Sequence, residues 1–236
     1  MKPILFVLAL LLSSVSLKAQ DLTRFFDSAD AFFATYVSDG RIDYNTLVAQ
    51  PEPLNTLMEQ LATIKVIPAN ETTYKAFWIN AYNLAVIQGI VSAYPLASPL
   101  DKEGFFDQTL YVIGGMKLTL NDMENKKLRD RFHDARIHFV LVCGAKGCPP
   151  LIAEAYRPKK LETQLRRQAT KALNNDAFIK VTTSEIYVSE IFKWYRNDFI
   201  KEAPSIISYI NQFRKKPINT TLTLKHYPYD WSLNEK

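Results

Sequence analysis

Through the first half of the chain, apolar residues recur at helical intervals. Within residues 21–36, Phe25, Phe26, Phe32, Phe33 and Tyr36 take the spacings of one helix face, and Asp39-Gly40 stops it. Arg41 to Tyr44 begins a new short element. Residues 53–64 predict a second helix, with Leu54, Leu57, Leu61 and Ile64 on its inner stripe. Asn70 stands where an N-cap belongs for a third, residues 71–94, which Pro95 terminates. Phe77, Trp78, Ile79, Leu84, Val86, Ile87 and Ile90 leave this helix almost no polar side, and a soluble protein puts such a helix at its centre. Lys75, Asn80, Asn83 and Gln88 within it make it a poor membrane span.

Beyond Pro95 the period changes. Residues 109–113 and 116–120 flank Gly114-Gly115 and predict a hairpin with a two-residue turn. Asn121 or Asp122 caps a short charged helix reaching Phe132. Residues 136–143 are almost continuously apolar and predict a central strand. Pro158 starts a helix to about Leu173, with Lys159, Lys160, Arg166, Arg167 and Lys171 on one side, read as a solvated face. Short strands at 178–181 and 186–188, helices around 192–195 and 205–213, and a strand at 221–227 follow. Phe192, Trp194, Tyr195 and Phe199 read as core because their spacing is helical. The order predicts an α+β fold in a single domain: a helix-rich N-terminal half packed on a small, mainly antiparallel sheet, with a central buried helix.

The extreme N-terminus changes the compartment. Lys2, the apolar stretch from Ile4 to Leu12 and the small residues from Ser13 to Ala19 predict a signal peptide over 1–19, leaving a single globular domain over 20–236. The expectation is a periplasmic or secreted protein with no transmembrane anchor in the mature chain. Loss of Lys2 and Lys18 leaves 27 basic against 24 acidic residues, a net of +3, too small an excess to point to nucleic acid. The partner stays open, with envelope polysaccharide or protein as one candidate.

Candidate chemistry centres on the only two cysteines, in Cys143-Gly144-Ala145-Lys146-Gly147-Cys148-Pro149-Pro150. Outside the cytosol the pair can persist as a disulfide, worth about 2 kcal/mol on loop entropy. As free thiols they form a nucleophile or redox pair, with Cys143 displayed at the end of the expected strand. Both readings stay open. Two thiolates and three histidines in the whole chain argue against zinc, so neither a metal nor a cofactor is expected. His138, five residues before Cys143, would lie roughly 16 Å away and on the opposite face of a regular strand, which argues for a buried, hydrogen-bonded role rather than a dyad. Asn80 and Asn83 share a face of the central helix; each must find a partner or cost about 1–3 kcal/mol. They either hold a crossing loop or line a catalytic pocket. Glu124 and Arg129 are read as ion-pair or orienting residues.

Several segments occur in order: Ala76-Phe77-Trp78-Ile79-Asn80-Ala81-Tyr82-Asn83; Arg136-Ile137-His138-Phe139; Cys143-Gly144 with Cys148-Pro149; Ser189-Glu190-Ile191-Phe192-Lys193-Trp194-Tyr195 with Asp198-Phe199; and Tyr229-Asp230-Trp231-Ser232-Leu233-Asn234. Together, over about residues 41–234, they resemble the domain-of-unknown-function family 547. The resemblance implies a domain found across bacteria and, fused to other modules, in eukaryotes. It brings no activity. Met123-Glu124-Asn125 departs from the Ile-Glu-His-like step expected ahead of Leu128-Arg129. Two functions follow as expectations: a thiol-dependent hydrolase or transferase acting on envelope material, or a non-catalytic binding or scaffold domain held by a Cys143–Cys148 disulfide.

Overall fold

A computed structural model describes residues 21–236; the expected signal peptide and its cleavage point lie outside the described residues. Helix α1 (residues 21–36) buries Phe25, Phe26, Phe32 and Phe33. The ribbon of β1 (Val37–Ser38) and β2 (Arg41–Ile42) follows, then α2 (Tyr44–Ala49), which the apolar spacing did not reveal, and α3 (Glu52–Thr63). Helix α4 (Glu71–Ala93) is the axis of the molecule. The Asn70 side chain accepts from Thr73 N at 3.2 Å to cap it, and it is buried without a break from Tyr74 to Ile87. By length and composition it could cross a membrane, but the protein itself covers it.

The hairpin forms as β3 (Tyr111–Ile113) and β4 (Met116–Leu118). Thr119, not Asn121 or Asp122, caps the next helix, and Asp122 reciprocates by accepting from Thr119 N. That helix is α5 (Leu120–Asp122), a wider π-helical stretch (Met123–Arg129) and α6 (Asp130–Phe132). After α7 (Leu161–Leu173), β5 (Ile179–Val181) and β6 (Glu185–Ser189) pair antiparallel, and β7 (Thr223–Tyr227) joins β6 in parallel. Between β6 and β7 come α8 (Ile191–Trp194), α9 (Arg196–Glu202) and α10 (Ile206–Asn211). The fold is α+β around a central buried helix, and among the described residues the strands form three small sheets.

One expected element is absent. Residues 136–143 form no strand: Ala135–Phe139 is a 3-10 helix and Val140 to Cys143 is irregular. The Asp134 side chain starts the tight turn by accepting from Arg136 N at 3.1 Å. Both ends of it are gripped by α9, where Glu202 accepts from Ala135 N at 2.6 Å and Asp198 bonds His138 Nε2 at 2.9 Å. The run is apolar because it lies between two hydrophobic clusters. Ile137 and Val140 belong to the one around α4, Ala135 and Phe139 to the one around α8–α10.

Candidate functional site

Where those two clusters meet, a cleft of about 540 Å³ opens. The cysteine loop forms one wall. Cys143 and Cys148 are joined in a disulfide, with Cα atoms 6.5 Å apart. The loop is held by the C-terminal segment: Lys146 N donates to Ser232 O and Gly147 N to Asp230 O, both at 2.8 Å. That pairing lays Tyr229 over the disulfide, its hydroxyl donating to Cys148 Sγ at 3.0 Å and lying 3.2 Å from Cys143 Sγ. Gly147 is needed for this approach, because a Cβ there would sit 2.9 Å from the Tyr229 ring.

The 3-10 helix supplies His138, whose Nε2 is taken by Asp198 Oδ2. Its ring stacks on Tyr195 with centroids 4.0 Å apart, so position and tilt are both set. Arg129 Nε donates to the same Asp198 oxygen at 2.7 Å, and the guanidinium covers the Tyr195 ring at 4.7 Å. Burial pushes the Asp198 carboxyl up, but the bonds and charges of His138 and Arg129 prevail and hold it well below the usual carboxylate range. Asp198 thus remains an anion that orients the imidazole.

Glu124 sits on the π-helical stretch, 8% exposed. Such widened turns recur at functional sites. Its carboxylate faces the phenols of Tyr82, from α4, and Tyr195. Burial raises both phenols well above their ordinary value, and the Glu124 charge raises them further. Tyr229 is raised too, chiefly by burial. All three hydroxyls therefore stay protonated and can donate hydrogen bonds.

Of the residues picked out in the sequence, Glu124, His138, Cys143 and Cys148 meet at the cleft, with Arg129 behind them through Asp198. The strand argument that separated His138 from Cys143 fails, because the chain between them is not extended; the burial and hydrogen bonding expected of His138 are present. Asn80 and Asn83 are not in the cleft wall. Asn80 bonds Tyr156 O and N at 2.7 and 3.0 Å, and Asn83 bonds Val140 O and Val142 N, each at 2.9 Å, so both clamp crossing loops. The cleft also takes in Tyr82, Tyr195, Tyr229, Trp194 and Trp231. Trp194, 44% exposed, and Tyr195 are therefore wall residues, whereas Phe192 and Phe199 are core. Helical spacing could not separate the two pairs. Among the described residues no group of three or more His, Cys, Asp or Glu is placed to hold a metal ion.

The family model described as "Protein of unknown function, DUF547" matches residues 68–172. The matched segment carries α4, Glu124, Arg129, His138 and the cysteine loop, and ends before Tyr195, Asp198 and Tyr229. No curated protein and no solved structure matches the chain.

Proposed function

For a chain whose residues 68–172 match the DUF547 family model, a match that brings no activity with it, we propose a thiol-dependent hydrolase or transferase acting on cell-envelope material after export. The observation that carries this reading is the Asp198-held His138 in the same cleft as Cys143. A disulfide is not a nucleophile, so the activity needs a thiol reductant, which exchanges with Cys143–Cys148 to leave two thiols. His138 then takes the Cys143 proton through the nitrogen that Asp198 leaves free, and Asp198 stabilises the imidazolium. The thiolate adds to an ester or amide carbonyl. Its leaving group departs with the proton from His138, and water or an acceptor nucleophile resolves the thioester. The Tyr229 hydroxyl already donates to this sulfur pair and would steady the thiolate.

The second reading is a binding or scaffold domain in which the disulfide shapes the cleft. The disulfide itself and the loop-clamping asparagines favour it. One experiment separates the two. The mature protein, recovered outside the cytosol with its N-terminus within a few residues of Gln20, is alkylated with iodoacetamide with and without reductant, and then as His138→Gln. The enzyme reading expects reduced Cys143 to react fast at neutral pH, and about tenfold more slowly in the variant. A rate like that of an ordinary free thiol, untouched by the substitution, would leave only the binding reading. An intact Met1 would remove the export step.

A further inference from the structure

We infer that the cleft takes an organic cation, a protonated amine or quaternary ammonium group, between Glu124 and the aromatic wall of Trp194, Tyr229 and Trp231. This rests on reading the cleft as a substrate site, though not on the thiol.

The three rings are mutual neighbours, with centroids 4.9 Å apart for Trp194 and Tyr229, 4.8 Å for Tyr229 and Trp231, and 5.8 Å for the stacked Trp194 and Trp231. Aromatic faces attract cations through their quadrupole, Trp most strongly. Elsewhere the protein covers rings with its own cations, Lys127 over Trp78 at 5.4 Å and Arg129 over Tyr195 at 4.7 Å. Among the described residues none lies over Trp194, Tyr229 or Trp231.

Glu124 supplies the complementary half. A buried carboxylate is ordinarily ion-paired. Among the described residues Glu124 has no salt bridge, and Arg129, the cation nearby, is committed to Asp198 and Asn125. The groups it faces, Tyr82 and Tyr195, are phenols that bring no charge. The cleft lining carries three carboxylates, Glu103, Asp107 and Glu124, against one lysine, Lys102, while the whole chain has a net charge of +5. A local field opposite in sign to that of the molecule selects for a cation and against an anion. About 540 Å³ with apolar walls and one buried charge suits a small amine-bearing group.

The test uses the disulfide-intact protein, so that failure here leaves the alkylation result untouched. Choline and its neutral isostere 3,3-dimethylbutan-1-ol are titrated separately, with tryptophan fluorescence and calorimetry as readouts. A trisaccharide of N-acetylglucosamine is titrated as a third ligand. The expected result is saturable binding of choline, about tenfold tighter than the isostere, weakened about tenfold in Glu124→Gln and in Trp194→Ala. Both variants should keep the wild-type circular dichroism spectrum, since Gln keeps the size and shape of Glu and Trp194 is 44% exposed at the cleft wall. Equal affinity for the isostere, binding indifferent to Glu124→Gln, or a preference for the trisaccharide would each overturn the inference.

Discussion

The side-chain amide of Asn83 does for residues 140–142 what a neighbouring strand would otherwise do. It donates to Val140 O and accepts from Val142 N, each at 2.9 Å, inside a helix with no water to share. Asn80 does the same one turn earlier, accepting from Tyr156 N at 3.0 Å and donating to Tyr156 O at 2.7 Å. Removing either amide leaves a buried backbone N–H and C=O without partners, and the penalty comes from the orphaned groups more than from the bond itself. Asn80→Leu and Asn83→Leu are each expected to lower stability by about 1–3 kcal/mol, read as a shift of the urea midpoint. The exposed Asn55→Leu should stay within about 0.5 kcal/mol. Unchanged midpoints in both buried variants would mean that the loops hold without the clamps.

At the scale of elements, the cysteine loop stands between a disulfide and a backbone pairing, and the two can be weighed. The disulfide closes six residues, while Lys146, Gly147 and Asn234 tie the loop to the C-terminal segment by backbone bonds of 2.8, 2.8 and 2.9 Å. The double change Cys143→Ser with Cys148→Ser is therefore expected to cost about 2 kcal/mol or less in thermal or urea unfolding, with the loop still seated. A much larger loss would make the disulfide the main support of the cleft wall. Legibility in the sequence follows the same division between local and distant causes. Helix α4 could be read because its signals are local: the Asn70 cap, the unbroken apolar run and Pro95. The β3–β4 hairpin could be read from Gly114-Gly115 for the same reason. Residues 136–143 could not, since an apolar run without a period fits a buried strand as well as a 3-10 helix. What decides is Asp198 and Glu202, some 60 residues on. The site divides likewise. Residue type alone picked out Cys143, His138 and Glu124, but Tyr82, Tyr195 and Trp194 sit at helical spacing among core aromatics, and only the fold turns them toward the cleft.

For the molecule as a whole, the irregular segment is tied to the helices around it by carboxylates, so the assembly should be sensitive to acid. Asp134 bonds Lys75 of α4 and, at 2.8 Å, Arg136, which reaches across to Glu162 of α7. Burial raises the Asp134 carboxyl, but Arg136 and Lys75 more than offset this and bring it down to about 2 from an ordinary 3.8. A folded-state value below the unfolded one means that the contribution is fully present above about pH 4. It is lost as pH falls toward 2, because the unfolded chain takes up the proton first. The amount is about 2 kcal/mol, at a side chain only 11% exposed. Urea midpoints taken from pH 6 to pH 2 should fall steeply below pH 4. In Asp134→Asn they should start lower, with buried Lys75 left uncompensated, and fall less over that window. A residual slope should remain in the variant, since Asp198 is also held below the carboxylate range by His138 and Arg129. Parallel curves for the two proteins would show that the Asp134 network does not link protonation to folding, and that acid sensitivity arises at other carboxylates.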